Sequence, residues 1–288
     1  MKVAHIILVH NKPLQLKRLL QRLEHANCKA FVHLDRKCKL QDFAYLERHP
    51  FVELVSDRQH VTWGGFSIVK AIMASIEQIV KSTVKYDYIN LISGQDYPLK
   101  SPQAFLSFLE ENPEKVFMEY HLPGHPWLEK GKQRLSLYHL TDFNFKGSTR
   151  LERVINFLLP PQKMPADFVF IGHSGWFTLD WASAAYVVDY FENNKSFIWK
   201  FKWSWGSDEI LIQSILYNSP YQHKLVNNNL RYIDWSEGNV SPKTLTMADQ
   251  QKLMTTDCFF GRKFDINIDE DILNYIDQTK YNEENDQL

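Results

Sequence analysis

The chain opens on VAHIILVH, an apolar run closed by His10 and Asn11, which predicts a buried strand with a polar tip. Leu16, Leu19, Leu20 and Leu23 follow at helical spacing behind Pro13, and AFVHLD predicts a second strand ending at Asp35. Val69, Ile72, Met73, Ile76, Ile79 and Val80 share one face of a helix over 67–80, which opens just after Gly64-Gly65. YDYINLIS supplies a further strand before GQDYP. Strands alternating with helices predict βαβ units in an α/β fold with a mostly parallel central sheet. Such sheets bind ligands at the carboxyl ends of their strands, where these polar tips lie.

Over 122–165 the periodicity breaks, with frequent Pro, Gly, His and Lys, and the segment is expected to be a variable insertion forming one side of the site. Regular structure resumes at DFVFIGHSGWFTLD, with a helix from Trp181, another behind Ser207 and a strand near LRYIDW. A single domain is expected over 1–275, and 276–288 is expected to be a disordered polar tail.

Composition sharpens this. The 288 residues are 44% hydrophobic and 14% aromatic, enough for a sizeable core. The formal charge is −1 with both signs interspersed, which excludes a general field for nucleic acid. The first apolar run is too short for a membrane span or secretory leader, and Cys28, Cys38 and Cys258 form neither a disulfide framework nor a zinc pattern. A reducing cytoplasm is the expected compartment, with partners met there or peripherally at the inner membrane face.

Several residues could carry chemistry. Ser207 is a candidate helix N-cap with Asp208 and Glu209 in the first turn, where the helix dipole favours ionised carboxylates; such a group is either a base available at neutral pH or simple dipole complementation. Asp96 follows a strand and either binds a sugar hydroxyl or shapes the turn before Pro98. Gly64 and Gly65, after Trp63, either admit a ligand close to the backbone or make a turn. Trp176 and Trp235 are candidate stacking platforms for a ligand ring, and Glu119 and Arg134 are candidate polar ligand contacts beside the irregular region. The DxD triplet Asp269-Glu270-Asp271 sits at a polar helix start rather than a central strand tip, so no metal and no cofactor is expected.

Taken in order, ILVHN, QLKRLLQRL, FVHLDRK, VTWGGFSIVKA, YDYINLISGQDYPLKS, GHSGWFTLDW, SDEILIQSILYNSP, NNNLRYIDW, SPKTLT and FFGRKFD resemble the family of Core-2/I-branching β-1,6-N-acetylglucosaminyltransferases and peptide O-xylosyltransferases, over roughly 3–265. The resemblance implies a GT-A-type fold and metal-independent, inverting transfer from a UDP-sugar to a glycan or lipid-linked glycan acceptor in cell-surface polysaccharide synthesis. It puts Glu209 on the catalytic base, with Asp208 pointing elsewhere, and His10 and Asp35 on the uridine and ribose contacts. Lys243, Arg262 and Lys263 fall on the cationic phosphate positions; away from such motifs they would read as solvated surface cations. Some xylosyltransferases carry a carboxylate where this chain has Gly175, which favours GlcNAc over xylose as the donor sugar. The competing readings are a glycoside hydrolase using Asp96 with Glu209, and a non-catalytic carbohydrate-binding domain.

Overall fold

The computed structural model of the protein describes residues 1–143 and 145–285, with side chains described through 279. Its strands in chain order are β1 (Val3–Val9), β2 (Cys28–Leu34), β3 (Val52–Leu54), β4 (Tyr88–Ser93), β5 (Asp96–Pro98), β6 (Val116–His121), β7 (Gly172–Asp180), β8 (Leu225–Asn227), β9 (Arg231–Ile233) and β10 (Phe260–Arg262). Seven form the central sheet in the order β3-β2-β1-β4-β7-β6-β8, and β5-β10-β9 form a small second sheet. The β1–β4 side of the central sheet is parallel, as the alternation of strands and helices predicted. β7 runs antiparallel to both β4 and β6, a reversal with no counterpart in the apolar pattern.

The helices are α1 (Pro13–Leu23), α2 (Phe66–Val80), α3 (Pro102–Glu111), α4 (Pro126–Ser136), α5 (Ser148–Leu158), α6 (Trp181–Asn193), α7 (Lys195–Phe201), α8 (Leu211–Tyr217), α9 (Gln250–Thr255) and α10 (Asp271–Asn285). Two apolar layers cover the central sheet. One packs Leu16, Leu19 and Leu20 of α1 with Phe105 and Leu109 of α3, Phe260 and Ile272. The other packs Val69, Ile72 and Ile76 of α2 with Val187 of α6 and Ile212 and Ile215 of α8. Strands buried on both faces explain why their sequence runs are continuously apolar rather than alternating.

Two expectations change here. The segment 122–165 is not without regular structure, since it contains α4 and α5. The boundary expected at 275 falls inside α10, where Ile276 is buried and Asp277 receives Arg18 (2.7 Å) and the Tyr97 hydroxyl (2.8 Å). Of the expected tail, 286–288 lie outside the described residues. Among the described residues no helix is long and apolar enough to cross a membrane.

Candidate active site

A cavity of about 390 Å³ opens at the carboxyl ends of β1, β2 and β4. Its lining carries three cations (Lys37, Arg262, Lys263) and four carboxylates (Asp35, Glu119, Asp208, Glu209), together with His10, Trp63, Trp176 and Trp235. Its size suits a small-molecule ligand.

At the strand tips, Asp35 is buried and fixed. Its carboxylate accepts the Lys37 amide (2.8 Å) and the Val61 amide (3.2 Å), while Arg58 holds the surrounding carbonyls of Leu34 and Asp35 (2.8 Å each). The Lys37 ammonium stands 3.3 Å from the same carboxylate, and no pattern in the sequence singled it out. Beside it, burial first and the Lys37 charge second lower the pKa of His10, leaving a neutral imidazole at pH 7. Trp63 stands 62% exposed at the rim with Trp205 edge-on behind it. Gly64 does not line the cavity. It adopts φ 73°, its carbonyl accepts the Gly206 amide (2.8 Å), and a Cβ there would meet the Trp205 indole, so its role is the turn and not ligand approach. The Cβ that Gly65 lacks would instead strike Asp142, which receives the Ser67 amide in the first turn of α2.

The second wall comes from β10. Arg262 donates to Ser93 Oγ (2.6 Å) and Asp96 Oδ1 (3.1 Å), and its guanidinium lies over the Trp176 ring at 4.2 Å. Asp96 is therefore not a free carboxylate. It is 0% exposed, does not line the cavity, and also accepts the Ser93 amide. The role expected for it, contact with a sugar hydroxyl, is replaced by holding Arg262 in place. Lys263 donates to Ser241 Oγ (2.9 Å) at the cavity edge, and burial first and the Arg262 charge second lower its pKa, a bias an arriving anion would offset. Lys243, expected beside it, is tied to Asp249 at 2.6 Å and does not line the cavity. Asp249 binds it from a capping box closed with Thr246, a local structure that draws the ammonium away.

The third wall is β7 with the turn after Gly206. Here the expected helix start is a 3-10 turn, Ser207–Glu209, and α8 begins only at Leu211. Ser207 is no N-cap: its hydroxyl donates to the Phe201 carbonyl (3.2 Å), and Gly206, at φ 69°, takes the cap position. The tighter turn brings Asp208 and Glu209 to the cavity together, so Asp208 does not point elsewhere. Two glycines make room: a Cβ at Gly172 would collide with the Glu209 carbonyl, and one at Gly175 would stand 3.2 Å from Asp208 Oδ2. Burial first, then the neighbouring Asp208 charge, push the Glu209 carboxyl up to about 8, while Arg134 at 3.4 Å pulls the other way. Burial likewise raises Asp208. The dipole argument favours an ionised Glu209; burial and the Asp208 charge act against it and raise the carboxyl above its ordinary range, which makes its carboxylate the stronger base.

Arg134 reaches Glu209 from α4 and stacks on Trp205 (4.4 Å) and Trp127 (5.6 Å), without lining the cavity itself. It is the contribution of 122–165 to the site among the described residues, none of which in that segment lines the cavity. Glu119 does line it, accepting from Asn229 (2.7 Å) near His173 (3.7 Å). Trp176 offers at most one free face, because Arg262 covers the other; Trp235 stands half exposed at the rim. Asp269 caps α10 by accepting the Ile272 amide (3.0 Å), and its triplet is not in the cavity. Among the described residues, no group of three or more His, Cys, Asp or Glu side chains is arranged to hold a metal ion.

A sequence model of the Core-2/I-Branching enzyme matches residues 3–256. Xylosyltransferase 2 of Rattus norvegicus is 24% identical over 298 residues, covering 96% of this chain and 33% of that protein. Xylosyltransferase 2 of Homo sapiens is 25% identical over 304 residues, with the same coverage. The chain thus spans about a third of the length of these relatives. Among solved structures, the galactosyltransferase LgtC with donor and acceptor sugar analogs aligns over 91% of this chain and 87% of its own, at 8% identity and a TM-score of 0.45.

Proposed function

The chain belongs to the Core-2/I-Branching enzyme family, and from that premise we propose that it is an inverting glycosyltransferase moving GlcNAc from UDP-GlcNAc to a glycan hydroxyl in cell-surface polysaccharide synthesis. One observation carries this reading: a pinned cation pair, Arg262 and Lys263, and a carboxylate pair, Asp208 and Glu209, line the same cavity. Glu209 takes the proton of the acceptor hydroxyl as its oxygen attacks the anomeric carbon. The bond from that carbon to the UDP oxygen breaks, and Arg262 and Lys263 stabilise the departing diphosphate charge. His10 and Asp35 hold the uridine and ribose at the strand tips. Transfer needs no metal in this reading, which is supported by the guanidinium of Arg262 already seated on Asp96.

For the donor sugar, the support lies at Gly175. A Cβ there would stand 3.2 Å from Asp208 Oδ2, so the extra acid of some xylosyltransferases would set a further negative charge beside Asp208. The xylosyltransferase relatives make UDP-xylose the alternative donor. Hydrolysis by Asp96 with Glu209 is not favoured, because Asp96 is outside the cavity. The test is UDP release from UDP-GlcNAc and UDP-xylose with oligosaccharide acceptors. Faster acceptor-dependent release from UDP-GlcNAc, lost in Glu209→Gln, is expected; a preference for UDP-xylose would overturn the donor assignment, and undiminished turnover in the variant would overturn the base.

A further inference from the structure

Helix α5 is oriented the reverse of an ordinary surface helix. Its polar side chains face the body: Glu152 accepts the Leu140 amide (3.0 Å) and lies 3.2 Å from His139, while Asn156 accepts the Tyr138 amide (2.8 Å) and donates to the Tyr138 carbonyl (2.7 Å). Four of its five large apolar side chains face outward, Ile155 being half-buried. Phe157 is 87% exposed, Leu158 69%, Val154 51% and Leu151 45%, and none of its eleven residues is buried. Leu151, Val154 and Leu158 recur at helical spacing, so they form one stripe flanked by Phe157. Single exposed apolar residues are ordinary, but a contiguous stripe marks an interaction surface.

We propose that this face docks on an anionic membrane surface, with α5 lying in the plane of the headgroups. Charge complementarity selects that occupant. Lys146, Arg150 and Arg153 are exposed around the stripe, and Glu152, the acidic residue of α5, is turned inward. A basic helix with an outward apolar face is suited to an interfacial position, its arginines meeting lipid phosphates while Phe157 and its neighbours enter the acyl boundary. A second copy of the chain fits less well, because a two-fold contact would set the arginines of one copy against those of the other. The proposal does not rest on the transferase reading: no residue of α5 lines the cavity, and membrane binding is measured without turnover.

The test floats the whole chain on vesicles of phosphatidylcholine mixed with phosphatidylglycerol, and on phosphatidylcholine alone. Flotation with the mixed vesicles, weakened by salt, is expected. Replacing Arg150 and Arg153 together by Gln lowers the partition coefficient about thirtyfold, at about fivefold per cation. The triple change Val154→Ser, Phe157→Ser and Leu158→Ser abolishes flotation while the thermal midpoint does not fall, as expected for exposed positions. Absence of flotation on either vesicle, flotation indifferent to both sets of changes, or a dimer in sedimentation velocity dispersed by Phe157→Ser without vesicle binding would each overturn the proposal.

Discussion

The two charged walls of the cavity are built by opposite means. On the β10 wall the cations are pinned: Arg262 by Asp96, Ser93 and the Trp176 ring, Lys263 by Ser241. On the wall after Gly206, two neighbouring carboxylates stand together, Arg134 pairs with Glu209 alone, and burial raises both. Fixed donors suit a charge that develops during bond breaking, because they need no reorganisation at that moment. A carboxylate made more basic suits the removal of a hydroxyl proton. The difference between the walls is therefore a difference in electrostatic task.

The sharpest way to break this division is Glu209→Gln. Turnover should fall about a thousandfold, within the range for loss of a general base, while UDP affinity measured by calorimetry stays within about twofold. Equal losses in both would mean that Glu209 belongs to the binding wall. Next in size, Arg262→Gln should weaken UDP binding about thirtyfold, from loss of charge-assisted bonds, and Lys263→Ala about tenfold; Lys243→Ala, outside the cavity, should leave it unchanged.

Asp96→Asn probes how the cationic wall is held. Removing one partner of a buried pair is expected to cost about 3 kcal/mol, read as a lower thermal midpoint together with weaker UDP binding. A variant that binds UDP normally would show that Arg262 does not need Asp96. The smallest effect expected is in the pH profile. Glu209 must be ionised to act, so kcat/KM is lost as pH falls through its raised pKa near 8, well above the ordinary ~4.3. Asp208→Asn removes a charge that raises Glu209 and should shift this limb to lower pH; Arg134→Gln removes one that lowers it and should shift the limb upward.

How much of this was legible follows the same division. The strand-tip side was written in plain periodicity: VAHIILVH, AFVHLD and YDYINLIS each became a strand of the sheet, β2 stopping one residue short of Asp35. Arg262 and Lys263 were legible only through the family resemblance, and nothing local separated Lys263 from Lys243, whose direction is set by Asp249 six positions on. The burial of Asp96 has no local signal, because DYP is too short to show a pattern, yet it pairs as β5 with β10 and buries its carboxylate. The acidic wall was harder still. A change from an α-helical first turn to a 3-10 turn at Ser207 redirects Asp208, and burial then raises Glu209 against the direction that the helix dipole suggests. In 122–165, α5 concealed itself by placing its apolar residues outward, where no core pattern leads.

The central claim is a UDP site whose phosphate charge is met by protein cations. Its most direct test is calorimetric titration of UDP into the wild type and Lys263→Ala, each with and without excess EDTA. The account predicts wild-type binding unchanged by EDTA and about tenfold weaker binding in the variant, the loss expected for one charge-assisted contact. Binding that disappears with EDTA, or that Lys263→Ala leaves intact, would contradict it.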